Sequence, residues 1–470
     1  MSSTKEFDAV VLGGGSAGFA AARTAAAAGL QVAVVEGGPE LGGLCILRGC
    51  MPTKTLLQAA EVRHLVQRAG TWGLHPLRAD FDWPAIRQRK DDLVRGWADY
   101  RREQLSQGRF SLIRAHARFL DPHRVALSDG ATLAARHFVI ATGSVVSPPP
   151  LPDLHAVGYL TSDEVLTLDK LPRSLIVLGG GPVALELAQC LARLDVAVTV
   201  VQRSAHVLRG FDEDAAQVVE AALRRETLRV FTGTRLLGVT RDAGGKSARF
   251  EHAGRVETVT AEEILLALGR SPNTATLDLD QAGVRTDQGR ILANAEQQTS
   301  APHIFAAGDC CGPHDLVHLA VQQGEVAGHN LAHPHRRRHM DYRLLVRVVF
   351  TEPQVAAVGL TEKEARAAGR EFLTASYSFA DHGKALILAA TEGFVKLLAD
   401  TRTGEILGGS VVGPLGSELI HEIVVAMHGR MTVGQLASLP HYHPTLAEIW
   451  TYPAEQLASR IPAGGNGVKH

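Results

Sequence analysis

The 470-residue chain is poor in cysteine and aromatic residues, carries almost no net charge and has no long apolar run. Each shortage removes a class of protein. Five cysteines cannot staple a chain of this length, so any close pair is better suited to redox exchange or metal binding than to a scaffold. A formal net charge of −1 provides no overall field to draw in nucleic acid or an anionic membrane. No uncharged apolar run approaches the ~18 residues of a spanning helix, and the polar start lacks the apolar core of a signal peptide. The composition therefore predicts a cytoplasmic protein with neither a membrane nor a nucleic-acid partner. Its length exceeds what one core fills and predicts about three domains.

Glycine, in contrast, is abundant and patterned. DAVVLGGGSAGFAAARTAAAAGLQVAVVEGG reads as strand, glycine turn, helix and strand. Gly13, Gly15 and Gly18 have the G-x-G-x-x-G spacing. The first glycine permits the tight turn, the second lets a pyrophosphate approach the backbone, and the third lets the helix pack on the strand. Unpaired N–H groups at the helix start favour the phosphates. Glu36 closes the second strand, where a carboxylate can accept hydrogen bonds from a ribose.

The unit recurs in SLIVLGGGPVALELAQCLARLDVAVTVVQRS, with Gly179, Gly181 and Ala184 at the three turn positions. Gly13 to Glu36 and Gly179 to Gln202 are the same step of 23 residues. Two Rossmann units in one chain point to two dinucleotides and hydride transfer between them, as in a flavoprotein fed by a pyridine nucleotide. The second unit has Gln202 where the first has its acid, followed by Arg203. With no carboxylate to repel a 2′-phosphate and a guanidinium able to clamp one, this site favours NADPH over NADH.

Cys45 and Cys50 lie in GGLCILRGCMPTK. In a regular helix, residues five apart have alpha carbons roughly 8–9 Å apart, beyond the ~7 Å limit of a disulfide. If the two bridge, the backbone must leave the helix between them. Gly49 supplies that freedom, and Pro52 suits the start of a new helical turn. A bridge closing so short a loop does little for stability and is suited to exchange. Lys54, four residues after Cys50, would share its helix face and favour a thiolate. Two inert thiols and a two-cysteine metal site are the alternatives, although no second pair with ligand spacing accompanies these cysteines.

The C-x4-C pair with its following Pro and Lys, set behind the first glycine motif, resembles the class I pyridine nucleotide-disulfide oxidoreductases. That family includes dihydrolipoamide dehydrogenase, glutathione reductase and mercuric reductase. The likeness runs nearly end to end, through ATGS (141–144), LLALGRSPN (265–273), FAAGD (305–309), GFVKLLAD, HGRMTVGQLA and HYHPTLAE. It implies an α/β fold of two Rossmann-like domains, for FAD and NAD(P), plus a C-terminal α+β dimerisation domain. The expected limits are 1–150 and 275–345 for the FAD domain, 151–274 for NAD(P) and 346–470 for the interface.

By this resemblance Gly13, Gly15, Ser16, Gly18, Glu36, Gly43, Lys54, Thr142, Gly143 and Asp309 hold FAD. Gly179, Gly181, Ala184, Gln202, Arg203, Arg209 and Gly269 hold the nicotinamide nucleotide. Arg203 and Arg209 match the pair that clamps the 2′-phosphate in glutathione reductase. Cys50 would touch the flavin, Cys45 would exchange with substrate, and Lys54 would pair with Glu186. A thiol exchange also needs an acid–base group, and histidine suits it near neutral pH. His443 has Glu448 five residues on to orient its ring, although Thr445-x-x-Glu448 also reads as a capping box. The resemblance makes His443 and Glu448 the catalytic pair, donated by the other subunit of a homodimer.

The expected activity is transfer of a hydride from NADPH through flavin to the Cys45–Cys50 disulfide and on to a small disulfide or dithiol. NAD-linked dihydrolipoamide oxidation, mercuric reductase-like chemistry and a non-turnover redox sensor are the alternatives. The ending GGNGVKH, without vicinal cysteines, and a start directly at the first strand weigh against the mercury branch. The stretch ILRG between the cysteines differs from the VNVG-like stretch usual in the family. Cys190, His318 and the adjacent Cys310 and Cys311 are read as packing residues, and HPHRRRH (333–339) as a solvated connector, so no metal site is expected.

Overall fold

The computed structural model describes residues 4–75 and 79–461, and the GGNGVKH ending lies outside them. Contacts divide the chain into two units. The first gathers residues 1–56, 84–148 and 269–341; the second gathers 57–83, 149–268 and 342–470.

In the first unit, Val, Ile and Ala runs form buried parallel strands, since a sheet covered on both faces takes apolar residues throughout. Thr4–Leu12 lies between Val32–Val35 and Thr132–Ile140, and Ser111–Ile113 extends the far edge. The last residues of Thr132–Ile140 also pair with Ile304–Ala306 in parallel, while its first residues pair with Arg124–Leu127 antiparallel. This return brings the loop after Ile304–Ala306, which carries Asp309, to the carboxyl ends of the strands that also carry the first glycine turn. The short strand Arg270–Pro272 pairs with Ser144–Val146 where the chain re-enters the unit.

Among the described residues the second unit contains three sheets, one of them a three-stranded antiparallel sheet of Arg235–Asp242, Gly245–His252 and Arg255–Ala261. Arg229–Phe231, Ala197–Val201, Ser174–Leu178 and Glu263–Leu266 are parallel, with the helix Pro182–Ala192 following the second glycine turn. Five antiparallel strands form the third, in the order Val346–Val349, Gln354–Gly359, Ile406–Gly413, Phe394–Asp400, Phe372–Ser378. Its core packs Val395, Leu397 and Val411 with Ile420 and Ile423 of the helix Gly416–His428 and with the fully buried Trp450. The chain thus has two Rossmann-like folds and a C-terminal α+β domain.

The two glycine turns are copies at atomic detail. Gly13 and Gly179 have φ of +103° and +122°. A Cβ on either would fall 2.4 Å from the Ala141 carbonyl oxygen or 2.3 Å from that of Ala267. Only glycine fits, in both conformation and space.

Two buried charge groups mark the second unit. Lys396, with 4% of its side chain exposed, pairs with Asp212 (2.9 Å), Asp214 (2.7 Å) and Glu362 (2.9 Å). Burial works against its charge, but these bonds outweigh it and hold its pKa above the usual lysine range. Lys396→Met would leave the carboxylates uncompensated and is expected to lower stability by about 3 kcal/mol, read by urea denaturation. Nearby in sequence, Glu352 is pushed up to about 8, first by burial and then by the charge of Glu61, with Arg193 opposing. A carboxyl whose folded pKa is raised binds more protons in the folded state, so its contribution falls as pH rises from about 4.5 towards 8. Glu352→Gln should remove this slope, making the variant the more stable protein at pH 8 in matched thermal melts.

Candidate active site

The thiol pair sits on two helices separated by a break. Gly43–Leu47 ends at Arg48, whose φ of −144° is not helical, and Cys50–Gln67 starts two residues later. Gly49 is required there by contact: a Cβ would lie 2.9 Å from the Leu44 carbonyl oxygen and 3.1 Å from the Cys45 alpha carbon. Pro52 falls in the first turn of the second helix. The break folds the chain back on itself, and the Cys45 thiol donates a hydrogen bond to the Cys50 sulfur. No disulfide joins them. That hydrogen bond, then burial and the Cys50 charge, pushes the Cys45 thiol far up, while the Lys54 charge acts the other way.

The pair is anchored to the first glycine turn. Gly43, with φ of +74°, packs so closely that a Cβ would lie 2.8 Å from the Gly15 alpha carbon. Gly15 caps the helix Ser16–Ala27 with no side chain over its N–H groups, and Ser16 opens that helix. Glu36 accepts from the backbone N–H of Gly14 and of Gly38, both at 2.7 Å, which fixes its carboxylate beside the turn. Across the sheet end, Arg270 donates to the Ser144 hydroxyl (2.8 Å), which donates to Asp309 Oδ2 (2.7 Å). Thr142 Oγ1 is buried with no hydrogen-bond partner among the described residues. Open helix N–H groups, fixed carboxylates and an orphaned hydroxyl are a donor and acceptor set that FAD fits.

In the second unit, Gly181 starts the helix with no side-chain cap and open space where a Cβ would point, and Ala184 is buried at the third position. The Gln202 side chain packs against Gly180, 3.0 Å from where its Cβ would lie. Arg203 and Arg209 are both exposed beside it. Gly269, with φ of +110°, stands at the re-entry into the first unit. Glu186 is buried in the helix and accepts from the Phe350 N–H at 2.9 Å.

His443 and Glu448 do meet. His443 Nδ1 lies 3.1 Å from each Glu448 oxygen; the ring is 77% exposed and the carboxylate 10%. The same carboxylate also accepts from the Thr445 N–H at 3.5 Å, but the capping box does not form: the short helix Ala447–Trp450 has Leu446 at its N-cap and no side-chain cap, so the orienting contact is the one the structure keeps. His441 is held separately by Glu422.

Two neighbours were not legible in the sequence. Arg101 stacks over Phe19, 4.1 Å from the ring centroid; burial lowers its pKa and the Cys45 charge opposes this. His382 lies fully buried behind Glu448, 3.6 Å away. Neither has a spacing that marks it, one being among many arginines and the other among 21 histidines. Of the residues read as packing, Cys190 and Cys310 are buried, and the Cys310 and Cys311 thiols donate to backbone carbonyls. Among the described residues no group of three or more His, Cys, Asp or Glu is placed to hold a metal.

Two dinucleotide folds, a thiol pair at the first and an antiparallel C-terminal domain with a His–Glu pair define a flavoprotein oxidoreductase. The family model described as pyridine nucleotide-disulphide oxidoreductase matches residues 7–324 and its dimerisation domain matches 345–454, so the chain belongs to that family. Its members are FAD-dependent enzymes acting on sulfur groups with NAD(P). The chain is 37% identical to a dihydrolipoyl dehydrogenase of Thermus scotoductus, over 96% of this chain and 98% of that one. It is 36% identical to a mercuric reductase of Streptomyces lividans, over 97% of each. Among solved structures, LpdA from Mycobacterium tuberculosis superposes with a TM-score of 0.85 at 30% identity, covering 97% of this chain and all of the other. The Cu(II) complex of the HOCl-induced flavoprotein disulfide reductase RclA from Escherichia coli gives 0.85 at 25% identity, over 96% of this chain and all of that one.

The Gly49 contact has a direct consequence. Gly49→Val forces Leu44 and Cys45 away and separates the sulfurs. Thiol titration after mild oxidation should then recover both thiols in the variant, where the parent protein loses two.

Proposed function

We propose that this enzyme uses NADPH to reduce a small disulfide by exchange at Cys45, with His443 moving the proton. The observation that carries the reading is the hydrogen-bonded thiol pair folded across the Gly49 break and packed on the first dinucleotide turn. FAD, when bound, relays the electron pair of the nicotinamide hydride to the disulfide. The chain's own residues do the rest. Gly13, Gly15 and Gly18 accommodate the pyrophosphate, Glu36 the ribose and Asp309 the ribityl chain, while Lys54 supplies positive charge beside the thiol pair. In the reduced pair Cys45 gives its proton to His443 and attacks the substrate disulfide, forming a mixed disulfide and expelling one thiolate. His443, oriented by Glu448, protonates that thiolate; Cys50 then attacks Cys45, releases the second thiol and restores the bridge.

Arg203 and Arg209, exposed beside a Gln202 that offers no carboxylate, support NADPH over NADH. A homodimer is supported by the dimerisation domain, which leaves Leu386, Ile387, Val425 and Tyr442 more than half exposed. In that dimer His443 serves the thiol pair of the other subunit. The dihydrolipoyl dehydrogenase relative favours a second reading, the same exchange run backwards on a dithiol with NAD as acceptor.

A steady-state panel of lipoamide, glutathione disulfide, mercuric ion and small disulfides with both nucleotides separates these readings. A clear NADH preference would refute the nucleotide assignment. With NADPH, the double variant Arg203→Ala, Arg209→Ala is expected to lose about 10- to 100-fold in kcat/KM, the worth of one or two charge-assisted hydrogen bonds. Cys45→Ala should abolish disulfide turnover yet still let NADPH bleach the flavin spectrum; full turnover in this variant overturns the exchange role.

A further inference from the structure

His382 opens the short helix Gly383–Ile387 and is wholly buried, at 0% exposure. Neither ring nitrogen has a hydrogen-bond partner among the described residues. A buried imidazole without partners costs free energy, because it has given up water at both nitrogens and replaced neither contact. Its surroundings hold it in place: Phe379 and Tyr452 meet its ring edge-on at 6.4 and 6.3 Å, and Tyr452 is stacked on Tyr377 at 4.0 Å. It faces the Glu448 carboxylate, with His382 Nε2 3.6 Å from Oε1. The Glu448 carboxylate therefore stands between two imidazoles, the exposed His443 on one side and the buried His382 on the other.

We propose that His382 is a positioning residue for the His443–Glu448 pair, its Nε2–H donating to Glu448 Oε1 and fixing the carboxylate that orients His443. A side-chain adjustment of a few tenths of an ångström brings 3.6 Å within hydrogen-bond range. The inference rests on the reading of His443 as the acid–base residue. Burial first, then the charge of His443, lowers the His382 pKa, with Glu448 opposing. His382 is thus a neutral donor that does not cancel the carboxylate charge. The other titratable groups nearby are Tyr452 and Tyr377 in the ring stack, and Asp381 and Lys384 on the flanking chain. A donor on Oε1 draws charge away from the side that faces His443. Without it the carboxylate acts in full on the His443 ring, which then holds its proton more tightly, and the carboxylate is also free to turn.

The test compares His382→Leu, which removes the donor, with His382→Asn, which keeps an N–H, in the flavin-loaded enzyme. The dithiol-oxidation profile of kcat/KM against pH rises where His443 becomes neutral. In His382→Leu that limb is expected to move up by roughly one pH unit, the equivalent of one charge-assisted hydrogen bond, and kcat/KM at pH 7 to fall about tenfold. His382→Asn should return the limb towards the parent position, which a purely steric role would not produce. An unmoved limb in His382→Leu, or His382→Asn shifted as far as His382→Leu, overturns the proposal. The same displacement is read without turnover by NMR titration of the His443 ring in 15N-histidine-labelled holoenzyme, assigned by the His443→Gln difference. Full activity of His443→Gln would sink the acid–base reading, and this titration would then decide the role of His382 alone.

Discussion

Backbone packed against backbone at the first glycine turn is the constraint on which the site depends. Gly13 turns under the Ala141 carbonyl, and Gly43 rests on Gly15, with no room for a side chain at either contact. The first contact leaves the helix N–H groups open for a phosphate. The second docks the short helix that carries Cys45 against that same helix start. The thiol pair and the glycine turn are therefore packed directly on one another. The repeated turn at Gly179 obeys the same steric rule, while a Cβ on its Gly181 would meet nothing within 4 Å among the described residues, so the second turn lacks the contact that Gly43 makes at the first.

Within that frame, the chemistry depends on one residue that breaks a helix and one that turns a charge. Gly49 lets Cys45 and Cys50 approach across a gap that a continuous helix would hold open. Their hydrogen bond then makes them unequal, because the donor thiol resists ionisation while Lys54 adds positive charge beside the pair. Glu448 does the comparable service for His443. It is almost fully buried, so its charge is little screened, and it presents both oxygens to an exposed ring. The family supplies the class of reaction; the exposed Arg203 and Arg209 and the ILRG stretch are where this chain has its own character.

Short-range pattern determined a great deal in this protein. The glycine spacings, their apolar strands and the C-x4-C pair were enough to read two Rossmann units, a close thiol pair and a departure from the helix at Gly49. Each of these is a local steric demand, and such demands are written in consecutive residues. The His443–Glu448 pairing was half legible, since Glu448 lay both five residues after His443, as an orienting carboxylate, and three after Thr445, as a capping-box acid. Only the folded geometry decided between them: the carboxylate meets the His443 ring and the helix start has no side-chain cap.

What tertiary structure alone decided are contacts between residues far apart in sequence. Ser144, Arg270 and Asp309 converge because Ile304–Ala306 returns to pair with Thr132–Ile140, a register no local pattern announces. Arg101 comes over Phe19 and into the field of Cys45 from the long charged helix Trp83–Ser106, which has no motif to mark it. His382 lies 66 residues before Glu448 and has no motif, yet burial strips its water and leaves that carboxylate as its polar neighbour. Sequence determines where a backbone must bend; burial and long-range pairing decide which polar groups are left facing one another.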